Sequence, residues 1–232
     1  MSVISEYLLE KQSVTENARD YTYRVLKNNM IQMRFLPGEM LSEAAAANLL
    51  HVSRTPIHDT FARLAQEKLV TVVSQKGTEV TLIDPERVRQ TVFVYEELLA
   101  AVMRKLCVAG VPANVLFALE TNCQKQHFML DSVQYAQIAT LQHQFYERCF
   151  AACNLEKVWQ AIQAIRYDMD RTLALETHTP QQWAQDVQAQ TDLWGALQRR
   201  DEAAAYAQVH KIQRVLAILP ALQTQYPNYF SF

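Results

Sequence analysis

Apolar side chains recur at intervals of three and four residues along most of the chain, a spacing that is typical of amphipathic helices. Up to residue 69 this pattern predicts three helices. They cover residues 16–34, residues 44–50 behind a Ser42 cap, and a segment that follows Val52–Pro56 and carries Ile57, Phe61, Leu64 and Leu69 on one side.

The pattern then changes to two short valine-containing runs. Residues 69–73 and 79–83 read as two strands, and residues 74–78 between them hold Gly77 at the expected turn. Two helices, a tight turn and a hairpin together predict a winged helix-turn-helix. Since an α-helix fits the major groove and a hairpin tip can reach the neighbouring backbone or minor groove, this pattern indicates a protein that reads DNA.

After residue 83 the chain is predicted to be all-helical. Asp84 and Pro85 form a typical helix start, an N-cap followed by proline in the first turn. Six helices follow, at about 85–109, 112–129, 132–152, 155–176, 180–199 and 201–223. The expected fold class is therefore mainly α, with a winged helix-turn-helix domain at 1–83 and an antiparallel helical bundle at 84–232.

The charge of the chain gives only local support for DNA binding. The 232 residues carry a net charge of −2, and residues 1–83 hold nine Lys or Arg against nine Asp or Glu. The stretch 51–77 is more basic, with Arg54, Arg63, Lys68 and Lys76 against two acids. Because phosphate neutralisation dominates affinity for DNA, we expect modest, salt-sensitive binding by a dimer that presents two such patches.

The sequence also limits the compartment and the chemistry. The N-terminus lacks a signal-peptide pattern and no apolar run is long enough to span a membrane, so a cytoplasmic protein with reduced thiols is expected. Only four glycines are present, and neither a phosphate-cradling loop nor a nucleophile elbow is found. The chain is therefore not expected to be an enzyme.

Residues 18–83 contain four short sequence motifs in this order: PGEMLSE, VSRTP, L-x-x-x-x-L-V and KGT. They resemble the winged-helix domain of GntR-family bacterial transcription regulators, and the helical remainder is similar to the FadR-type (FCD) effector domain. The resemblance implies a homodimeric repressor that binds a palindromic operator and is released by a small organic acid or sugar-derived metabolite. The alternative is a helical interaction module or an enzyme that merely carries a winged helix.

Six residues are candidates for contact with DNA. Arg54 stands at the head of the recognition helix, where arginine can bind guanine with two hydrogen bonds, and the hydroxyls of Ser53 and Thr55 can donate to phosphates. The resemblance adds Lys76 and Gly77 as the tip of the wing. It also shows two departures, because His58 and Ala44 stand where relatives often carry basic residues.

Many FCD domains hold a metal ion with one Asp and three His. The corresponding positions here are Gln142, Tyr146, Gln190 and about Ile212, with His210 nearby, and such side chains are poor ligands for a transition metal. No cofactor is therefore expected. A rival zinc site could be formed by Cys123, His127, Cys149 and Cys153, although cysteines in helices are commonly core residues.

A small-molecule effector would bind among polar groups inside the bundle. The candidates are Gln142, Tyr146, Gln190 and Arg171, with Tyr95 and His210 behind them. The resemblance favours Arg171 as the ligand of a carboxylate, which an arginine can bind with two hydrogen bonds. The simpler alternative is that each of these side chains is satisfied within the protein.

Overall fold

A computed structural model describes residues 11–74, 76–176 and 179–231. The strands are β1 (Met40–Leu41), β2 (Val70–Val73) and β3 (Gly77–Val80). The α-helices are α1 (Ala18–Ile31), α2 (Glu43–Leu50), α3 (Arg54–Gln66), α4 (Pro85–Ala109), α5 (Ala113–Asp131), α6 (Tyr135–Ala152), α7 (Glu156–Gln163), α8 (Tyr167–Leu175), α9 (Pro180–Arg199), α10 (Glu202–Val209) and α11 (Arg214–Gln225). Two 3₁₀ helices cover His210–Gln213 and Pro227–Tyr229.

The predicted winged helix is present. Ser42 caps α2 by accepting a hydrogen bond from the Ala45 amide, and the helix ends at His51, whose left-handed conformation turns the chain into α3. Helices α1 and α3 pack together around a buried contact of 2.7 Å between the hydroxyls of Thr22 and Thr60. Buried apolar residues of α1, α2, α3, β2 and β3 form one hydrophobic core.

The sheet has a strand that the sequence did not reveal. Its order is β1-β3-β2, with both pairings antiparallel, and β1 places Leu41 opposite Thr78. The predicted turn at 74–78 is also too long, because β3 already begins at Gly77, paired with Val73. Gln75 lies outside the described residues. β1 was missed because two residues give no alternation to recognise, and their pairing depends on a partner far along the chain.

The helical part agrees with the sequence except in two places. The bounds of α4 and α9 are those predicted, and α5 packs on both α6 and α9. The helix predicted at 155–176 is wrong as a single element, because Ala164–Arg166 separates α7 from α8. The helix predicted at 201–223 is interrupted by the 3₁₀ turn at His210–Gln213. No helix in the described ranges has both the length and the apolarity needed to cross a membrane.

The chain forms two compact units, and they do not divide at the boundary that we predicted from sequence. The first unit holds residues 11–89, together with Arg166–Glu176 and residues 218–231. The second holds Gln90–Ile165 and a further segment that ends at Ala217. Helix α8 thus belongs to the first unit, although the division at residue 83 assigned it to the bundle.

A buried ion pair ties α8 to the end of the wing within the first unit. Arg171 is fully buried, contacts the Asp168 carboxylate, and donates to the carbonyl oxygens of Thr81 at 2.6 Å and Leu82 at 3.3 Å. Asp168 also accepts from Arg87 at 3.1 Å. The guanidinium of Arg171 therefore provides hydrogen bonds for two carbonyl groups that lie just after the end of β3, outside the strand pairing.

A second set of contacts joins α8 to α1. The Lys27 ammonium lies 4.2 Å from the centre of the Tyr167 ring and forms an ion pair of 2.9 Å with Glu67. Burial lowers the pKa of Lys27 and raises that of Tyr167. The cation is thus held between an aromatic face and a carboxylate, which offset part of the cost of removing it from water.

The first unit is completed by a segment near residue 230. Ile83 donates from its amide to the Tyr229 carbonyl at 2.8 Å and accepts from the Ser231 amide at 2.9 Å, which forms a parallel bridge between Ile83 and Phe230. Both of these side chains are buried. The backbone that follows the wing is therefore paired with residues almost 150 positions later.

We expect Arg171→Ala to lower the free energy of unfolding by about 3–5 kcal/mol, because it leaves the buried Asp168 carboxylate without its main partner. Arg89→Ala is the control, since Arg89 forms an exposed pair with Glu86 and its removal should cost less than about 1 kcal/mol. Urea denaturation of both variants measures the difference. Equal losses would show that the buried pair contributes no more than a surface pair.

Candidate functional site

The orientation of α3 separates its buried residues from its exposed ones. Ile57, Phe61 and Leu64 are buried in the core of the first unit. Arg54 and His58, one turn apart, are exposed on the other side of the helix. The helix therefore presents polar side chains to solvent along its first turns.

The start of α3 leaves its hydrogen-bonding groups available. Ser53 is the N-cap residue by backbone conformation, but its hydroxyl forms no capping hydrogen bond. Ser53 and Thr55 are exposed beside Arg54, and within the described residues the Arg54 guanidinium has no ion-pair partner. Free amides, hydroxyls and a cation at a helix N-terminus suit an anionic partner such as a phosphate backbone.

His58 is not a free imidazole. Its Nδ1 lies 2.8 Å from Oε1 of Glu43, which stands in the first turn of α2, and both side chains remain accessible. The hydrogen bond to Glu43, and then its charge, raise the pKa of His58 above its ordinary value. Glu43 was missed as a site residue because the pairing depends on how α2 and α3 cross, and the sequence shows only that Glu43 opens a helix.

The two wing residues differ in position. Lys76 is exposed in the turn between β2 and β3. Gly77 is the first residue of β3, with φ of +123°, and a Cβ there would lie 2.9 Å from the Leu41 carbonyl oxygen. Gly77 therefore allows β1 and β3 to approach each other, which is a structural role, and its contact with DNA as part of the wing tip stays a prediction.

The predicted effector residues Gln142, Tyr146, Gln190 and Tyr95 come together in the second unit. Gln190 is buried and its side-chain amide donates to the backbone carbonyl of Gln142 at 3.3 Å. Tyr146 lies one turn after Gln142 on α6. The rings of Tyr95 and Tyr146 meet edge to face, with 6.4 Å between their centres.

Two further amides complete this cluster and were missed from the sequence. Gln126 is fully buried on α5 and donates both to Gln190 and, at 2.7 Å, to Asn122. The Gln126 carbonyl oxygen is buried and has no hydrogen-bond partner within the described part of the chain. Asn122 and Gln126 stand four residues apart on the same stripe of α5 as Leu119, and this spacing could have indicated a buried polar pair.

His210 and Arg171 do not join the cluster. His210 contacts the buried carboxylate of Glu96, which also accepts from Gln213 at 2.8 Å, and Glu96 and Tyr95 point about 100° apart as consecutive residues of α4. Arg171 belongs to the first unit, where Asp168 and two carbonyls occupy its guanidinium. That Arg171 holds an effector stays a prediction. The unit that α8 joins depends on tertiary contacts, which local sequence did not reveal.

The residues at the family's metal position do not fit a transition metal. The amide of Gln190 is bonded to Gln126 and Gln142, and the Nδ1 of His210 is bonded to Glu96. For the rival zinc site, the described residues contain no group of three or more His, Cys, Asp or Glu placed to hold an ion. Burial raises the pKa of Cys123 to about 11, so its thiol is protonated in the metal-free protein.

A surface cavity of about 400 Å³ opens between α4 and α10 of the second unit. It is lined by Ala100, Met103, Arg104, Glu202, Ala203 and Tyr206. Arg104 and Glu202 form an ion pair of 2.8 Å, so the two charged groups of the cavity neutralise each other. None of these residues was among the effector candidates from sequence.

Comparison with known proteins decides the family. The model for the bacterial regulatory proteins of the gntR family matches residues 19–80, and the FCD domain model matches residues 90–214. The second match alone spans more than half of the chain. The chain belongs to the GntR family. It is a DNA-binding transcription regulator of the FCD type.

Relatives of the family support this reading along the whole length. The HTH-type transcriptional repressor RspR of Escherichia coli K12 is 23% identical over 220 residues, which cover 94% of this chain and 95% of RspR. An HTH-type transcriptional regulator of Streptomyces ambofaciens is 29% identical over 162 residues, covering 70% of this chain and 67% of that protein.

Solved structures show the same fold. Escherichia coli McbR/YncC superimposes with a TM-score of 0.74 at 18% identity, covering 90% of this chain and 99% of McbR. A GntR regulator from Rhodococcus sp. RHA1 gives 0.69 at 16% identity, covering 88% of this chain and 98% of that one. At these identities the likeness concerns the fold alone.

We expect the purified GntR-family protein to hold less than about one equivalent of zinc, nickel or manganese per chain, because amides and a phenol replace the usual ligands. Treatment with a chelator should leave its melting temperature unchanged, and added zinc should not raise it, since only a bound ion stabilises the folded state. Elemental analysis and thermal denaturation measure both. One tightly held ion per chain, with a melting temperature that falls on chelation, would contradict the prediction.

Proposed function

We propose that this regulator is a homodimeric repressor that reads a palindromic operator with the first turns of α3 and leaves it when a small metabolite binds the helical unit. The observation that carries the proposal is the exposed row of Ser53, Arg54, Thr55 and His58, which stands on a helix whose other side is buried. The name of its relative RspR, a transcriptional repressor, favours repression.

The homodimer is proposed because one copy has little positive charge and can contact only one half-site. Residues 1–83 carry no net charge, so one copy offers few cations to the phosphates. A single recognition helix covers one half-site, whereas a two-fold dimer reads two half-sites about one helical turn apart. Since bacterial DNA lies in the cytoplasm, the protein is proposed to act there.

The amide cluster of the second unit favours a neutral, hydroxyl-bearing metabolite over an organic acid. Gln190 and Tyr146 carry an amide and a phenol, uncharged groups whose hydrogen-bonding chemistry matches the hydroxyls of a sugar-derived compound. Arg171, the cation proposed for a carboxylate, is bonded in the other unit. The metabolite would act by binding more tightly to the form of the dimer that does not fit the operator.

We expect Arg54→Ala to weaken binding to the selected operator by about 1–3 kcal/mol per half-site, because it removes a bidentate base contact. The operator is obtained by selection from a randomised DNA library, and fluorescence anisotropy at fixed salt gives the affinity. Circular dichroism should show an unchanged fold, since the Arg54 side chain is exposed.

Arg63→Ala is the matched control for Arg54→Ala. It removes the same charge from the same helix, but nine residues place Arg63 on the opposite side, over the Tyr23 ring at 3.4 Å. The Arg63→Ala variant should bind every DNA sequence slightly more weakly, and its free energy of unfolding should fall by about 0.5–1 kcal/mol. Equal losses of operator affinity for the two variants would remove Arg54 from the reading surface.

We expect a neutral polyol or sugar derivative in a metabolite library to raise the melting temperature of the wild-type protein and to release it from the operator. Gln190→Met should abolish that shift, because it removes the amide while keeping the length of the side chain. Tyr206→Ala, which alters the cavity between α4 and α10, should preserve it. Thermal denaturation of each variant against its own ligand-free baseline gives the comparison.

Two outcomes would contradict this effector assignment. A shift that survives in Gln190→Met and disappears in Tyr206→Ala would move the ligand to the cavity between α4 and α10. A shift obtained only with carboxylic acids would overturn the preference for neutral compounds. Operator binding by the ligand-free protein is measured in the same samples, so the DNA-binding part of the proposal is tested separately.

A further inference from the structure

The pair formed by Glu43 and His58 stands on the exposed side of the helix-turn-helix. The carboxylate belongs to α2 and the imidazole to α3, and the pair is held by the contact of 2.8 Å between Oε1 and Nδ1. The imidazole side chain is 72% exposed, so its second nitrogen, Nε2, remains accessible.

The charged groups around His58 leave Glu43 as its principal partner. Asp59, the next residue of α3, is paired with Arg19 of α1 at 2.8 Å, which offsets its charge. Arg54 precedes His58 by one turn on the same face and extends toward the solvent. Glu43 is thus the carboxylate that determines which ring nitrogen carries the proton when the imidazole of His58 is neutral.

The hydrogen bond to Glu43 fixes the chemistry of Nε2. A carboxylate accepts hydrogen bonds only, so Nδ1 must carry a proton. When His58 is neutral, Nε2 then has a lone pair and accepts from a base amino group, such as N4 of cytosine or N6 of adenine. When His58 is protonated, Nε2 carries a second proton and donates to O6 or N7 of guanine.

We propose that Glu43 and His58 form one proton-linked reading element, with Glu43 as a positioning residue that decides whether His58 accepts from or donates to a base. The inference rests on the proposed function, which places this side of α3 against DNA. It goes further by assigning two base preferences to the same side chain.

The direction of the pH dependence follows from linkage. Glu43 raises the pKa of His58, and the phosphates of a bound duplex favour the protonated form further. Binding to a guanine-containing site is therefore strongest below this pKa and weakens as the pH rises through it. The steepest slope is about one proton per half-site, a tenfold change in affinity per pH unit.

The experiment selects operators from one randomised palindromic library at about pH 6 and about pH 8.5, on either side of the titration expected for a histidine with a raised pKa. Wild-type protein should recover guanine at one position of each half-site at the lower pH, and cytosine or adenine there at the higher pH. Affinities for both recovered duplexes are then measured across the range by fluorescence anisotropy.

Three variants isolate the element. The side chain in His58→Gln cannot titrate. The slope of log affinity against pH should therefore decrease by about one proton per half-site. Glu43→Gln removes the carboxylate charge and should move the midpoint to lower pH while keeping the slope. His51→Asn is the control for an exposed histidine of the same unit, because asparagine tolerates its left-handed backbone, and it should leave both slope and midpoint unchanged.

The outcomes separate the inference from the function on which it rests. If wild-type protein enriches no sequence at either pH, the proposed reading of an operator fails. If it enriches the same sequence at both, and His58→Gln keeps the wild-type slope, operator reading stands and the proton-linked element is rejected. A midpoint that does not move in Glu43→Gln would likewise reject Glu43 as the positioning residue.

Discussion

The burial of one apolar stripe determines how α3 is rotated, and that rotation decides which of its side chains, among them the candidates for DNA contact, face the solvent. Ile57, Phe61 and Leu64 each lose nearly all contact with solvent. Exposing even one of them would cost about 1.5–3 kcal/mol, so turning the helix by a single residue position is strongly disfavoured. Arg54 and His58 therefore face outward because their neighbours must face inward. The exposed face of α3 is therefore fixed by a hydrophobic constraint on its buried face.

The parts of the fold that the sequence predicted are those whose ends are marked locally. Helix α4 begins at Asp84-Pro85, where Asp84 accepts from the Glu86 amide, and α9 begins with a capping box at Thr179 and Gln182. The break between α7 and α8 has no such mark, because apolar residues continue through Ile162, Ile165 and Met169 at helical spacing. It is set by tertiary contacts, including the bond from the Thr91 hydroxyl to the Ile165 carbonyl.

The residues of the candidate site also differ in whether local sequence or tertiary contacts determine their position. Residues of α3 could be identified because helical geometry is local, whereas Glu43 enters the surface only through the crossing of α2 and α3. Arg171 shows the converse case. Its sequence position suggested a ligand in the bundle, but its role depends on which unit α8 joins, and periodicity carries no such information. Buried amides such as Gln126 are equally hard to predict, since their partners come from other helices.

The bridge between Ile83 and Phe230 has a consequence for synthesis on the ribosome. The helix-turn-helix emerges early, yet the backbone after its wing finds its partners only when residue 231 has been made. Until then Ile83 lacks the backbone partners of its parallel bridge, and until residue 175 has been made the chain also lacks α8, whose Arg171 binds the Thr81 carbonyl. Interrupted translation products would thus carry α3 in an incompletely packed unit. Exposed apolar surface makes such fragments prone to aggregation and proteolysis.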